Sequence, residues 1–171
     1  PKKVMDIDVT LSESTEGTLT FILYDGDKKI GEKSTAFKGK VINAKWSVED
    51  VELWDIESPN LYTLTVKLND SDEISVRFGF RECRFKKDGF YLNGKKIKIR
   101  GLNRHQSYPY VGYAMPDSIQ RHDAHVLKNE LGLNAVRTSH YPPDPLLLEL
   151  CDELGIYVVD EADLETHGVL M

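Results

Sequence analysis

Several features that assign function quickly are scarce in this 171-residue chain. It has two cysteines, Cys83 and Cys151, too few for a disulfide framework or a four-ligand zinc site. That scarcity fits a reduced, cytoplasmic setting. Positive charge is also short. The net charge is −6, whereas a protein that grips a phosphate backbone is normally basic, so no nucleic-acid partner is expected. No apolar run approaches the length of a membrane span, so no membrane is expected either. The opening Pro1-Lys2-Lys3-Val4-Met5-Asp6 lacks the apolar core of a secretory leader. Ser139 beside His140 is not a nucleophile–base pair, because neighbouring strand residues point to opposite faces and no elbow glycines flank the serine. What is present, 40% hydrophobic and 29% charged residues, is ordinary for a soluble globular protein. A start at Pro1 without Met and a stop at Met171 suggest a piece of a larger protein.

Residues 1–82 carry β signals and no helix. Val4, Ile7 and Val9 begin a strand-like run, and Leu19, Phe21 and Leu23 alternate with Thr20, Ile22 and Tyr24. Asp25-Gly26-Asp27 supplies turn chemistry before a return strand at Lys29 to Lys33. Leu61 to Leu68 alternates cleanly, and Ile74, Val76 and Phe78 follow a polar turn. Short strands with regularly spaced turns predict an antiparallel β-sandwich of about seven strands. Trp46 and Trp54 are read as packing residues.

The pattern changes near Arg81. Phe85 to Lys96 reads as a hairpin with Asp88-Gly89 and Asn93-Gly94 as its turns, and Ile97 to Gly101 as a short strand. A helix should follow, with Asp117 as its cap, Gln120 in capping-box position and Gly132 at its end. A strand from Leu133 to Thr138 comes next. The second helix has Asp144 as cap, Pro145 in its first turn and Gly155 at its close, with Leu146, Leu147, Leu150, Cys151 and Leu154 facing a core. Ile156 to Val159 is the third strand. Strand, helix, strand, helix, strand predicts a parallel β/α unit with right-handed crossovers. Three strands cannot close a barrel, so apolar strand edges are expected to be open.

Each of these strands discharges into polar groups. Asn103, Arg104 and His105 end the first, Arg137, Ser139 and His140 the second, and Asp160, Glu161, Asp163, Glu165 and His167 the third. In a parallel unit those ends share one rim, which makes the convergence more telling than any single residue. Glu165 and His167 stand two apart, so an extended segment puts both on one side, where they can share a cation or a substrate; a plain polar loop is the other reading. Arg137 follows Val136 on a buried strand and wants a carboxylate or a substrate oxygen, and pairing with Asp160 or Glu161 would satisfy it. His122 and His125 fall within the first helix and read as surface groups. Tyr141-Pro142-Pro143 reads as a rigid elbow, with the bond before either proline a candidate for cis.

Three segments resemble the β-galactosidases of glycoside hydrolase family 2: Arg100-Gly101-Leu102-Asn103-Arg104-His105, Asn134 to Pro142, and Val159-Asp160-Glu161-Ala162-Asp163-Leu164-Glu165-Thr166-His167-Gly168. Ser58-Pro59-Asn60-Leu61-Tyr62 and Phe78-Gly79-Phe80-Arg81 resemble the end of the immunoglobulin-like domain that precedes the barrel in that family. Two departures stand out: Asp163-Leu164 where the family usually has Asn-Ile, and Gln106 where many members have Glu. The resemblance implies an immunoglobulin-like β-sandwich over 1–82 and, over 83–171, the first three β/α units of a truncated TIM barrel. It implies a retaining hydrolase of terminal β-galactosides such as lactose, from an oligomeric parent. Its acid/base and nucleophile glutamates are expected beyond Met171, so the chain alone is expected to be inactive and to contain no catalytic residue of its own. By the same resemblance Glu165 and His167 bind an active-site Mg2+, His105 and His140 hold sugar hydroxyls or stabilise the transition state, and Arg137 positions the nucleophile. Two readings of other classes remain beside it. One is a non-catalytic carbohydrate-binding or structural β module. The other is a small metal-dependent hydrolase using Glu165, His167 and Asp160.

Overall fold

The computed structural model describes residues 3–69 and 71–164. It divides into two compact units. Of the described residues, one takes those up to Trp54 together with those of Asn60–Glu82, and the other takes Asp55–Pro59 and those from Cys83 onward.

The first unit is a four-stranded antiparallel sheet of order β2-β1-β3-β4, with β1 at Val4–Asp25, β2 at Lys28–Ser47, β3 at Tyr62–Leu68 and β4 at Asp72–Phe78. The seven short strands expected from turn spacing are instead two very long strands and two ordinary ones. The pairing of β1 with β2 shifts register between Thr10 and Thr15, where Gly39 sits at a φ of 129°. Such an irregularity bends a hairpin without ending it. The near half of the hairpin thereby folds over its far half. Ile7, Val9 and Leu11 of β1 and Ile42, Ala44 and Trp46 of β2 pack on Leu19, Phe21, Phe37, Leu64 and Val66. Two layers with a shared apolar interior result, as a sandwich requires. A second cluster gathers Met5, Leu23, Val51, Tyr62 and Phe80. Trp54 is buried, with the Arg81 guanidinium 5.1 Å from its ring centroid.

The second unit opens with a three-stranded antiparallel meander, β5 (Cys83–Lys86), β6 (Gly89–Leu92) and β7 (Lys95–Ile97). Asn93 and Gly94, at φ of 49° and 83°, form the two-residue turn between β6 and β7. A parallel sheet of order β10-β9-β8 follows, from β8 (Gly101–Arg104), β9 (Ala135–Thr138) and β10 (Tyr157–Val159). The strand expected at 97–101 therefore starts four residues later. Ile97 is taken by β7, and parallel pairing begins only at Gly101, whose Cα lies so close to β9 that a Cβ would sit 2.4 Å from the Ala135 carbonyl oxygen. Asn134 spans the gap ahead of it, accepting from Arg100 N at 2.7 Å and donating to Lys98 O at 3.0 Å.

Helices α1 (Asp117–His125) and α2 (Pro145–Leu154) cover one face of the sheet. Ala124, Leu127, Val136, Leu147, Leu150, Cys151 and Ile156 form the core between them. The start of α2 follows the sequence closely. Asp144 accepts from Leu146 N at 2.9 Å, Pro145 occupies the first turn, and Gly155 closes the helix at a φ of 70°. The start of α1 does not. Pro116 is its cap residue, no side chain caps it, and Gln120 is buried and bonded elsewhere. Asp117 lies inside the first turn, where its charge still favours the helix N-terminus. Past His125 the helix widens into a π turn, Val126–Glu130, closed by Leu131 N donating to Val126 O at 2.9 Å. Lys128 on this turn donates to the carbonyls of Ile56 and Gly155. Cys83 and Cys151 are both free, and burial pushes the Cys151 thiol up to about 12. The outer strands keep apolar side chains in water, Leu102 of β8 at 50% exposure and Val159 of β10 at 51%. These are the open edges that an unclosed three-stranded sheet predicts.

Candidate functional site

Parallel pairing brings the C-terminal ends of β8, β9 and β10 to one side of the sheet, in the register Asn103 beside Arg137 and Arg137 beside Val159. Four of the rim residues read from the sequence gather there: Arg137, Glu161, His140 and His105. Arg137 Nη2 donates to Glu161 Oε1 at 2.8 Å. His140 Nδ1 lies 3.5 Å from Arg137 Nη2 and 3.6 Å from Glu161 Oε2. A neutral His140 can accept from Arg137 there, and a protonated one can donate to Glu161. The His105 ring meets His140 nearly edge to face, with centroids 5.1 Å apart and planes at 72°. Glu165 and His167, the sequence-predicted metal ligands, lie outside the described residues.

The carboxylates that follow β10 are held by hydrogen bonds. Thr138 Oγ1 donates to Asp160 Oδ1 at 3.1 Å and accepts from Glu161 N at 3.0 Å. One hydroxyl thus fixes the direction in which the chain leaves the sheet, and Arg137 fixes the Glu161 side chain. Glu161 Oε2 and Ser139 Oγ are buried atoms without a hydrogen-bond partner. The peptide bond between Ser139 and His140 is cis; the candidates read from the sequence were the bonds before Pro142 and Pro143.

One residue read as part of the rim belongs behind it. Alternation turns Arg104 to the helix side, where its side chain is 8% exposed. Its Nε donates to Asp123 Oδ2 at 2.9 Å, its Nη2 donates to Gln120 Oε1 at 2.7 Å, and Nη2 lies 3.3 Å from Met115 Sδ. Its carbonyl accepts from Ser139 N at 3.0 Å. The residues that follow these two bonded positions are His105 and His140, so Arg104 ties both rim histidines to the same frame.

Other contributors carry no chemical signature in the sequence. Tyr141 accepts from Gln106 N at 3.2 Å through its hydroxyl, and Gln106 Oε1 accepts from Asp144 N at 2.8 Å. Gln106, one of the two departures from the family pattern, therefore joins the β8 exit to the start of α2. Burial holds the Tyr141 phenol above its usual range, opposed by the Gln106 amide. The ring row continues from His105 to Tyr141 at 6.3 Å and from Tyr141 to Tyr113 at 5.5 Å. Ring distances across loops have no sequence spacing, so only the Tyr-Pro-Pro elbow hinted at this wall. Among the described residues no group of three or more His, Cys, Asp or Glu could hold a metal ion.

Comparison with known proteins gives two family matches. Residues 2–81 match the profile described as glycosyl hydrolases family 2, and residues 83–171 match glycosyl hydrolases family 2, TIM barrel domain. A β-galactosidase of Thermoanaerobacterium thermosulfurigenes is 61% identical over 118 residues, covering 67% of this chain and 16% of that protein. A β-galactosidase of Staphylococcus xylosus is 43% identical over 140 residues, covering 82% of this chain and 14% of that protein. The chain thus spans about 15% of the length of these curated relatives. Among solved structures, a glycosyl hydrolase family 2 member from Bacteroides cellulosilyticus superposes with a TM-score of 0.81 at 26% identity, covering 94% of this chain and 24% of that one. A Parabacteroides merdae β-glucuronidase gives 0.74 at 31% identity, covering 91% and 21%.

Proposed function

Because the chain belongs to glycosyl hydrolases family 2 and joins two of the family's domains, we propose that it is the immunoglobulin-like domain and barrel start of a retaining β-galactosidase. The complete enzyme hydrolyses terminal non-reducing β-D-galactose from β-galactosides such as lactose. The observation that carries the reading is the Arg137–Glu161–His140 cluster beside His105, at the ends of parallel strands. The identity to β-galactosidases supports the choice of sugar.

In this reading His105 and His140 exchange hydrogen bonds with sugar hydroxyls, and those bonds strengthen as the ring distorts toward the oxocarbenium-like transition state. Arg137 uses Nη2 on Glu161 and keeps further N–H donors for a second carboxylate. A guanidinium at that place keeps a nucleophilic carboxyl ionised at neutral pH. Retaining hydrolysis needs two carboxyl groups ~5–5.5 Å apart across the sugar. Asp160, Glu161 and Asp163 all follow the single strand β10, and the first two are engaged by Thr138 and Arg137. The acid/base and nucleophile are therefore assigned to later barrel strands, and the chain alone is inactive.

Magnesium belongs to the proposal through Glu165 and His167. Held by these residues, it would supply a fixed positive charge to the site. As a hard cation it favours oxygen donors, so Glu165 is the stronger of the two ligands. The free thiols of Cys83 and Cys151 support a reducing, cytoplasmic setting. No helix among the described residues is long and apolar enough to cross a membrane. The complete enzyme is taken to be an oligomer.

The test is a comparison of kcat/KM for aryl β-galactoside, β-glucuronide and β-glucoside by the chain completed through its barrel. A preference for the galactoside of at least about 100-fold is expected. Preference for the glucuronide, the substrate class in the name of the P. merdae relative, would overturn the assignment.

A further inference from the structure

Between β8 and α1 the chain makes an excursion over residues 105–116 that carries its own hydrogen bonds. Tyr108 and Gly112 pair as an antiparallel bridge, with Tyr108 N donating to Gly112 O at 3.1 Å and Gly112 N to Tyr108 O at 2.9 Å. Ala114 N then donates to Val111 O at 3.1 Å. A small hairpin built in this way is a defined platform. Tyr113 leaves it as an exposed residue, with 69% of its surface in water. Its inner contact is the Tyr141 ring, 5.5 Å away and nearly perpendicular at 88°. Tyr141 is half-buried and anchored through its hydroxyl to Gln106 N, so it is a stiff backing for Tyr113.

The rings form a row with two different ends. At one end His140 stands against Arg137 and Glu161, where hydroxyl groups find charged donors and acceptors. His105 and Tyr141 continue the row, and Tyr113 terminates it. An exposed phenol ring offers a flat apolar face with a polar tip. The apolar C–H face of a pyranose and the face of an aryl group both suit such a surface. A ligand whose hydroxyl-rich ring occupies the charged end and whose other half extends along the row reaches Tyr113. We propose that Tyr113 stacks on the leaving group of the substrate, an aryl group or a second pyranose ring, and so selects glycosides by what is attached to the sugar. The proposal rests on the β-galactosidase reading above.

The experiment uses the chain completed through its barrel, as wild type, Tyr113→Ala and Tyr113→Phe. The substrates are p-nitrophenyl β-galactoside, lactose and methyl β-galactoside, whose leaving group has no flat face. Galactose inhibition reads the sugar end alone. Tyr113→Ala is expected to lower kcat/KM about tenfold for the aryl substrate and for lactose, the scale of one lost ring contact. The methyl glycoside and galactose inhibition should stay within about twofold, and Tyr113→Phe should behave as wild type. Loss on one of the two extended substrates alone identifies which leaving group the ring takes. Equal losses on all three substrates, or none, overturn the proposal while leaving the enzyme assignment intact. Failure of the wild-type enzyme to cleave any of the three removes the assignment itself, and the proposal with it.

Discussion

Among single residues, Arg104 shows best how local reading succeeds and fails. The sequence marks it as the polar end of a strand, and the alternation of strand side chains sends it to the opposite layer from its neighbours. There a guanidinium with 8% exposure holds Asp123 and Gln120 on α1, while its carbonyl holds Ser139. Arg104→Met should destabilise the chain by about 3 kcal/mol, because the Asp123 carboxylate is left in a partly buried place without its counter-charge. Arg104→Lys should lose less, since it keeps the charge but not the fork that reaches both partners. Urea unfolding of the three proteins measures both; equal stability of all three would show the clamp to be idle. The helix punctuation at Asp144, Pro145 and Gly155 was legible because caps and left-handed turns are chemistry between near neighbours. The Arg137–Glu161 pair was legible only as one of several ways to satisfy a buried guanidinium, because its partner is 24 positions away.

Among the elements, what misled was backbone geometry that carries no hydrophobic period. The sequence reads a short strand over Ile97 to Gly101. In the structure the parallel pairing waits for Gly101, where two backbones approach too closely for any side chain. Gly101→Ala should therefore cost about 2 kcal/mol, the scale of an overpacked contact that the backbone must relieve. Denaturant midpoints of wild type and variant test this, and a change below about 0.5 kcal/mol would mean that the sheet yields freely. The bend that turns β1 and β2 into two layers is similar. Gly39 and the register break near Thr10 carry no sign of a corner in the sequence, which therefore reads one long hairpin as several short strands. Alternation still identified the inward set, Leu19, Phe21 and Leu23 being buried as expected.

At the scale of the whole chain the change of pattern near Arg81 marked the passage from an antiparallel β region to a β/α region, and both are present with cores of their own. The convergence of the strand ends was legible for a topological reason. Parallel strands joined by right-handed crossovers must send their C-terminal ends to the same side, wherever those residues stand in sequence. The spacing could not tell which side chains at that rim would meet one another, because ring contacts such as Tyr113 with Tyr141 depend on loop conformation. The central claim is that this rim is one part of a retaining glycosidase site, completed by carboxylates on later strands. It is tested most directly by hydrolysis of a chromogenic aryl β-galactoside, with magnesium and with chelator, by this chain and by the chain extended through a full barrel. The account predicts turnover by the extended protein alone. Turnover by the purified short chain, free of host enzyme, would contradict it and would make Asp160, Glu161 and their neighbours the first candidates for the catalytic pair.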